Sequence, residues 1–377
     1  MKIKHGVSVF LIGVIGLLCS GCLYAADYIK NAPQKNNLMP HKFLVSSDLP
    51  SCRDYLTADA IESMSHDQVR QIEQCAYHFL ETEDYASLES AITYLRKNNI
   101  RAPSGYWLQT NFYVGLEKFA DKAVDDASYD EMEAYIKRWI EKSGGSNTAR
   151  LELSHIMLSR AAFYRGDGYA NTISEQSFEK HYQQVSRAKK YLLENESIGK
   201  TDPEWFYQML GILNVERNTD ETQHKKLFEQ AIKLYPDYYP IYFTASEFHL
   251  AKWHGDNDSF EKFARQATAG LEPGHAKAIY ARIYRNKICG RCGDKDVRNW
   301  RDHWEDINAG MEQVIKEFPD QWNFNTYAHM ACSAYDQDKT LELMQRIKDA
   351  PIDSVWNDRQ FSYEYCANWS GLNQGAK

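Results

Sequence analysis

Four small groups of residues carry side chains that could do chemistry. The first is Cys289-Gly-Arg-Cys292. Two thiols at that spacing make a dithiol redox centre when a strand leads into a helix that starts at the first Cys. They make half a zinc knuckle when two further ligands follow at knuckle spacing. Here both flanks read as helix, and neither H-x-x-x-H nor a second closely spaced Cys pair follows. A loop-closing structural disulfide is the expectation. The second group is His249 and His254 near Glu247, and the third is His303 beside Asp302, Glu305 and Asp306. Chelation from one helix face wants ligands at i, i+3 or i+4, whereas these two His are five apart, so packed or surface imidazoles are expected. The fourth group is aromatic: Tyr238, Tyr239 and Tyr242, followed by Lys252-Trp253-His254-Gly255. At helical spacing such rings serve as core. Their sharper use is protein binding on the inner face of a repeat array, with Gly255 as a left-handed helix cap. Asp167, between two glycines, reads as an inter-helix turn. Neither G-x-S-x-G, H-E-x-x-H, a P-loop nor G-x-G-x-x-G occurs, so no catalytic, metal or cofactor residue is assigned.

The elements that must position these residues are helical. Val69, Ile72, Cys75, Ala76, Phe79 and Leu80 fall on one helix face, and Leu88, Ala91, Ile92 and Leu95 on the next, with a Glu83-Asp84 turn between them. Further pairs are expected over 106–122 and 129–142, then from Ala149 to a break at Gly166-Asp167-Gly168, with a helix resuming over 175–194. Clearer repeats follow. Pro203, Pro236, Pro273 and Pro319 each restart a helix pair, at intervals of 33, 37 and 46 residues. Pro suits a helix's first turn, where its missing N–H has no partner to lose. Helical-hairpin repeats run from about 34 to 47 residues, and the longest interval holds the Cys289–Cys292 loop. No β-alternation competes with this pattern. The expected fold is all-α, an irregular helical-hairpin solenoid.

The front end is of another kind. Lys2, Lys4 and His5 precede an apolar run from Gly6 to Cys19, too short to cross a bilayer, which needs about 20 residues. Leu18-Cys19-Ser20-Gly21-Cys22 resembles a bacterial lipobox, with Cys22 as the lipid-attachment residue; Cys19 stands where Leu is usual. Cleavage after Ala25 or Ala26, or an uncleaved anchor, are the competing readings. Leu23 is not the Asp that retains enteric-type lipoproteins at the inner membrane, so an outer-membrane lipoprotein facing the periplasm is expected. Residues 1–21 are then signal peptide, and 22–50, rich in Asn, Lys and Pro without apolar periodicity, a flexible tether. Residues 51–200 form N-terminal helical hairpins and 201–377 a C-terminal helical domain.

Composition agrees with a packed, acidic envelope protein. Hydrophobic residues make up 43% of the 377, aromatics 13%, with 25 Tyr and nine Trp, which excludes wholesale disorder. The net charge of −8 becomes −10 once Lys2 and Lys4 leave with the signal, a poor match for a phosphate backbone, so no nucleic-acid partner is expected. Losing Cys19 and lipidating Cys22 leaves six of the eight Cys. In an oxidising compartment six permit 15 pairings; proximity favours Cys52–Cys75, Cys289–Cys292 and Cys332–Cys366.

Several elements of the C-terminal half resemble an uncharacterised bacterial, tetratricopeptide-like domain family of unknown function. They are Tyr235-Pro236-x-Tyr238-Tyr239-Pro240-x-Tyr242, Lys252-Trp253-His254-Gly255 and Ala278-x-Tyr280-Ala281-Arg282-x-Tyr284. Trp322-Asn323-x-Asn325-x-Tyr327-Ala328, Ala331-Cys332-x-Ala334-x-Asp336 and Val355-Trp356 near Phe361 complete the resemblance, which spans 203–369. The family usually has Pro where this chain has Ala251. The resemblance implies an envelope-associated helical domain and supplies no catalytic residues. The expected function is an envelope-anchored scaffold binding another envelope or secreted protein, in assembly, secretion or toxin neutralisation. An envelope hydrolase with its site in an inner groove and a cell-wall glycan binder are the alternatives.

Overall fold

The computed structural model describes residues 66–256, 258–288, 297, 299–347, 350–358 and 360–372. Among them the chain forms α1 (His66–Glu81), α2 (Tyr85–Lys97), α3 (Leu108–Glu117), α4 (Asp126–Lys142), α5 (Asn147–Arg165) and α6 (Glu175–Glu194). The short α7 (Glu196–Gly199) leads to α8 (Pro203–Val215), α9 (Glu221–Leu234), α10 (Tyr239–Phe248) and α11 (Ser259–Thr268). Then come α12 (Pro273–Ile288), α13 (Trp304–Glu317), α14 (Gln321–Ser333), α15 (Gln337–Ile347) and α16 (Tyr363–Ser370). The fold class is all-α, of the helical-hairpin solenoid kind that the apolar spacing predicts.

Several helices start where a side chain takes up their free N–H groups, whereas α3, α7 and α13 have no such cap. Asp84 accepts from Ser87 N at 3.1 Å ahead of α2, and Ser146 from Ala149 N at 3.1 Å ahead of α5. Asp125 and Ser128 close a reciprocal capping box on α4. Asp202 caps α8, whose first residue is Pro203, and Asp220 and Asp320 cap α9 and α14. Pro236 and Pro319 lie in the turns ahead of their helices, α10 beginning at Tyr239 and α14 at Gln321, whereas Pro203 and Pro273 are first helical residues.

The chain divides into two compact units. The central unit takes in residues 120–237 and 244–260. In it α5 packs on α4 and α6, and α8 on α5, α6 and α9. Trp205, 1% exposed, anchors this core and donates its indole N–H to Leu192 O at 3.1 Å. The split unit gathers 66–119, 238–243 and the described residues from 261 on. Here α1 packs on α2 and α3, α12 on α13 and α14, and α16 on α14 and α15. Two glycines permit its tightest helix contacts. A Cβ on Gly115 would stand 2.2 Å from Glu73 O, and one on Gly310 2.2 Å from Lys277 O.

The segment between α2 and α3 is held within the split unit by helices far along the chain. Arg282 donates to Ser104 O at 2.8 Å, Asn323 to the same oxygen at 3.1 Å, and Arg285 to Tyr106 Oη at 3.1 Å. Cys332 and Cys366 are joined (S–S 2.03 Å), tying α16 to α14. Cys75, fully buried in α1, is disulfide-bonded as well. The expected signal and tether, and Cys22, Cys52, Cys289 and Cys292, lie outside the described residues.

Candidate functional site

The aromatic group expected to offer a binding face is divided by burial. Tyr238, Tyr239 and Tyr242 are at most 3% exposed and belong to the core of the split unit. Trp107 packs edge-on against Tyr238 at 5.5 Å, and the Tyr239 ring lies under the Arg282 guanidinium at 4.7 Å. As they stand, these three offer no ring to a partner. Trp253 is half-buried and His254 exposed, both in the turn that follows α10 in the central unit.

That turn is built around a stack of rings. Phe248 lies between His224, 4.2 Å away at 21°, and His254, 4.3 Å away at 20°. His249 meets His224 edge-on at 6.0 Å. His224 comes from α9, so a third imidazole joins the two that the sequence brings together. Burial, with His249 and His254 close by, pushes the His224 imidazole down to about 3. Burial and then His254 push His249 down to about 4. Both are therefore neutral at physiological pH. A metal ion needs ring nitrogens that converge, whereas the interposed phenyl ring holds the His224 and His254 rings apart, face to face. Among the described residues no three His, Cys, Asp or Glu are grouped as a metal ion requires.

His254 Nε2 lies 3.1 Å from Asn214 O, which fixes it as the protonated nitrogen, because a carbonyl only accepts. Asn214 Nδ2 donates in turn to Thr244 O at 2.9 Å. The stack is thus a latch that closes the turn. Gly255 serves the same closure, though not as the expected left-handed cap. Its φ is not positive, and a Cβ there would stand 2.0 Å from His249 O. Close approach requires the glycine.

The third group, His303 with its acidic neighbours, resolves into a carboxylate centre in the split unit. Glu261 accepts from Tyr280 Oη at 2.9 Å and from Tyr284 Oη, pairs with Arg265, and has His303 Nδ1 at 3.5 Å. Two phenols, a carboxylate and an imidazole resemble an acid–base constellation. Burial first, and hydrogen bonding to Glu261, raise both Tyr280 and Tyr284 well above the usual phenol range, so both hold their protons as donors. With two phenols and a guanidinium claiming its oxygens, Glu261 is occupied rather than poised. The arrangement also recurs one hairpin later. Tyr280 bonds the residue 19 positions before it, and Tyr327 bonds Asn308, again 19 before, and Glu312 at 2.8 Å. A catalytic centre has no reason to recur at a repeat offset; a staple between successive hairpins has.

Sequence reasoning missed a carboxylate pair in the central unit. Glu152 on α5 and Glu204 on α8 are 1% and 2% exposed. Burial first, and the Glu204 charge second, push the Glu152 carboxyl up to about 8, and its Oε1 has no partner. Gln208 donates to Glu204 Oε1 at 3.4 Å and to Leu151 O at 3.2 Å. A carboxyl held neutral beside a second carboxyl is the usual basis of acid–base work. Nothing in the sequence marks this pair, since its members lie 52 positions apart on helices that only the fold brings together. A shallow depression of about 430 Å³ on the α6 surface is lined by Ser186, Lys189, Lys190, Leu193 and Glu194, and by neither carboxylate.

One surface feature has no counterpart in the sequence reading. Tyr335 is 54% exposed and has φ +62°, directly after the end of α14. Tyr335 N bonds Cys332 O and Asp336 N bonds Ala331 O, each at 3.0 Å, the pattern of a Schellman helix end, whose left-handed position usually takes Gly. Its ring meets Phe361 at 5.8 Å and Trp369 at 6.3 Å, with the Arg301 guanidinium 5.5 Å above it. Tyr365, 42% exposed, extends the same patch from α16.

Comparison of the chain with protein-family profiles, with curated proteins and with solved structures finds no match.

Proposed function

We propose that the chain is an envelope-anchored helical-repeat scaffold that binds another envelope or secreted protein. Lipidation at Cys22 would place it on the outer membrane, facing the periplasm. The tetratricopeptide-like resemblance of residues 203–369 fits this role, as does an acidic chain ill-suited to nucleic acid. One observation carries the reading: a half-exposed tyrosine stands in a left-handed backbone position where a helix end usually takes Gly. A non-glycine residue costs about 1 kcal/mol there, and strain of that kind gathers at functional positions. Tyr335, Tyr365 and Trp369, with Arg301, supply the contact surface in place of the buried Tyr238, Tyr239 and Tyr242. Aromatic and Arg side chains are the residues that dominate protein interfaces. Trp253 and His254 remain accessible in the central unit as a second contact.

The test is a pull-down from detergent-solubilised envelopes with the chain from Cys22 onward, tagged at its C-terminus. A stoichiometric protein partner is expected. Tyr335→Gly should lose it while leaving stability within about 1 kcal/mol of wild type, because Gly relieves the backbone as the ring contacts are lost. A partner retained in full by the Tyr335→Gly/Tyr365→Ala variant would rule out this surface. Capture of cell-wall glycan instead of protein would make the same rings a glycan platform.

The hydrolase reading rests on Glu152 and Glu204. It predicts activity in a hydrolase screen that Glu152→Gln abolishes without loss of folding. With both carboxyls buried, the scaffold reading is preferred.

A further inference from the structure

We infer that the split unit carries a binding site for a small oxyanion, a phosphate or a carboxylate, where residues 101–107 meet α12 and α14. Two guanidiniums make it. Arg282 and Arg285 are 2% and 4% exposed, and neither has a carboxylate partner among the described residues. A buried charge without a counter-ion is costly unless something compensates it.

The compensation provided by the chain is partial. Arg282 stacks on Tyr239 at 4.7 Å and Tyr106 at 5.1 Å, and Arg285 on Trp322 at 5.0 Å. Such contacts give about 2 kcal/mol at most when desolvated. A guanidinium has five N–H donors. Arg282 places one on Ser104 O, an oxygen it shares with Asn323, and Arg285 places one on Tyr106 Oη. The Nε–H of each is buried with no acceptor, and so is the indole N–H of Trp107 on the same segment.

The sequence around the seam is one-sided in charge. Residues 98–107 contain Arg101 and no acid, and α12 contains Lys277, Arg282, Arg285 and Lys287 and no acid. α14 contains neither Asp nor Glu. This occurs in a chain of net charge −8, where carboxylates are in excess elsewhere. The acids that directly precede these two helices are taken up by their first turns: Glu272 accepts from Gly274 N at 3.0 Å and Asp320 from Trp322 N at 2.9 Å. Buried, planar donors to which no carboxylate among the described residues is bonded are the chemistry that oxyanions complement, often by two parallel bonds to one guanidinium. Gly105, at φ +90°, brings this segment's backbone against Arg282, so the segment and the guanidinium are held together.

The experiment is calorimetric titration of the full chain with inorganic phosphate and, separately, with acetate, at neutral pH and constant chloride. Saturable one-site binding of at least one of them is expected. A response to phosphate alone points to a phosphate group, and a response to acetate to a carboxylate such as a chain terminus. Arg282→Gln and Arg285→Gln should each weaken binding at least tenfold, while Lys316→Gln, which removes an exposed cation, leaves it unchanged. Should the arginine variants fail to fold, the arginine Nε–H resonances of the wild type provide the second readout. Two of them should shift saturably with the anion. No saturable heat from either anion, resonances that stay put, or an equal loss in Lys316→Gln would overturn the site.

Discussion

At the scale of the residue, the chemistry-bearing side chains are claimed by structure. Phe248 shows how. It is 3% exposed, and its ring covers one face of the buried His224 imidazole while His254 stacks on its other face. Removing its ring should cost about 3–5 kcal/mol, the range for a buried Phe. Water admitted to the space would relieve the His224 desolvation. In Phe248→Ala, the His224 pKa measured by NMR should therefore rise from about 3 towards the ordinary value near 6.5. An unchanged His224 titration would mean that the stack does not set its environment. The same logic separates His224 from a ligand: a residue held neutral by burial first and by neighbouring imidazoles second, with no converging set of nitrogens, is packed rather than coordinating.

At the scale of the element, hairpins are stapled by side chains that repeat with them, and the last helix is tied covalently. Tyr280 and Tyr327 occupy matching positions on α12 and α14, and each reaches back to the helix before it. The α16 helix has eight residues, too few for stability on its own. Cys332–Cys366 closes a separation of 34 positions and holds it on α14. Loss of a native disulfide of this kind typically costs 2–5 kcal/mol. A Cys332→Ala/Cys366→Ala variant should lose hydrogen-exchange protection over 363–370 while α12 and α13 keep theirs. Protection lost equally across all of them would show that the bridge supports the whole unit and not its last helix.

At the scale of the whole molecule, buried titratable groups set the pH range of stability. His155, His224, His249 and His329 are held neutral by burial, down to about 4, 3, 4 and 4. Depressed in the fold, they contribute stability above their unfolded value near 6.5, and that stability is lost as pH falls towards 4. Glu152, pushed up to about 8, contributes in the opposite sense. Its stability is fully present below about 4.5 and is lost as pH rises through 8. Between 4.5 and 6.5 four imidazoles outweigh one carboxyl, so stability rises with pH there. From 6.5 to 8 Glu152 acts alone, at about 1.4 kcal/mol per pH unit. The urea midpoint should thus peak near pH 6.5 and fall by pH 5 and again by pH 8. Glu152→Gln should flatten the alkaline limb and steepen the acid one; an alkaline limb that survives the substitution would assign it elsewhere.

Local information was enough for the elements. Helix spacing and Pro at restarts place α1 to α15 except the four-residue α7, and 175–194 is α6 to the residue. These signals act within one or two turns, so a short stretch of sequence contains all of each. The pairing of Cys332 with Cys366 was likewise reached from proximity. What depends on distant parts of the chain was not legible. Gly255 looks like a cap in sequence, and only the position of His249 O shows that it answers a close approach. Tyr238, Tyr239 and Tyr242 have the same spacing whether they line a groove or fill a core. The packing of 101–107 on α12 and α14 makes them core, by drawing residues more than 130 positions apart into one unit. The same closure buries Arg282 and Arg285 with no carboxylate partner among the described residues, and the meeting of α5 and α8 pairs Glu152 with Glu204. By itself, then, the sequence determined the helices and their ends, because those follow from neighbours along the chain. Which side chains are sealed, paired or left exposed was decided by tertiary structure, because burial and charge depend on what packs against a residue.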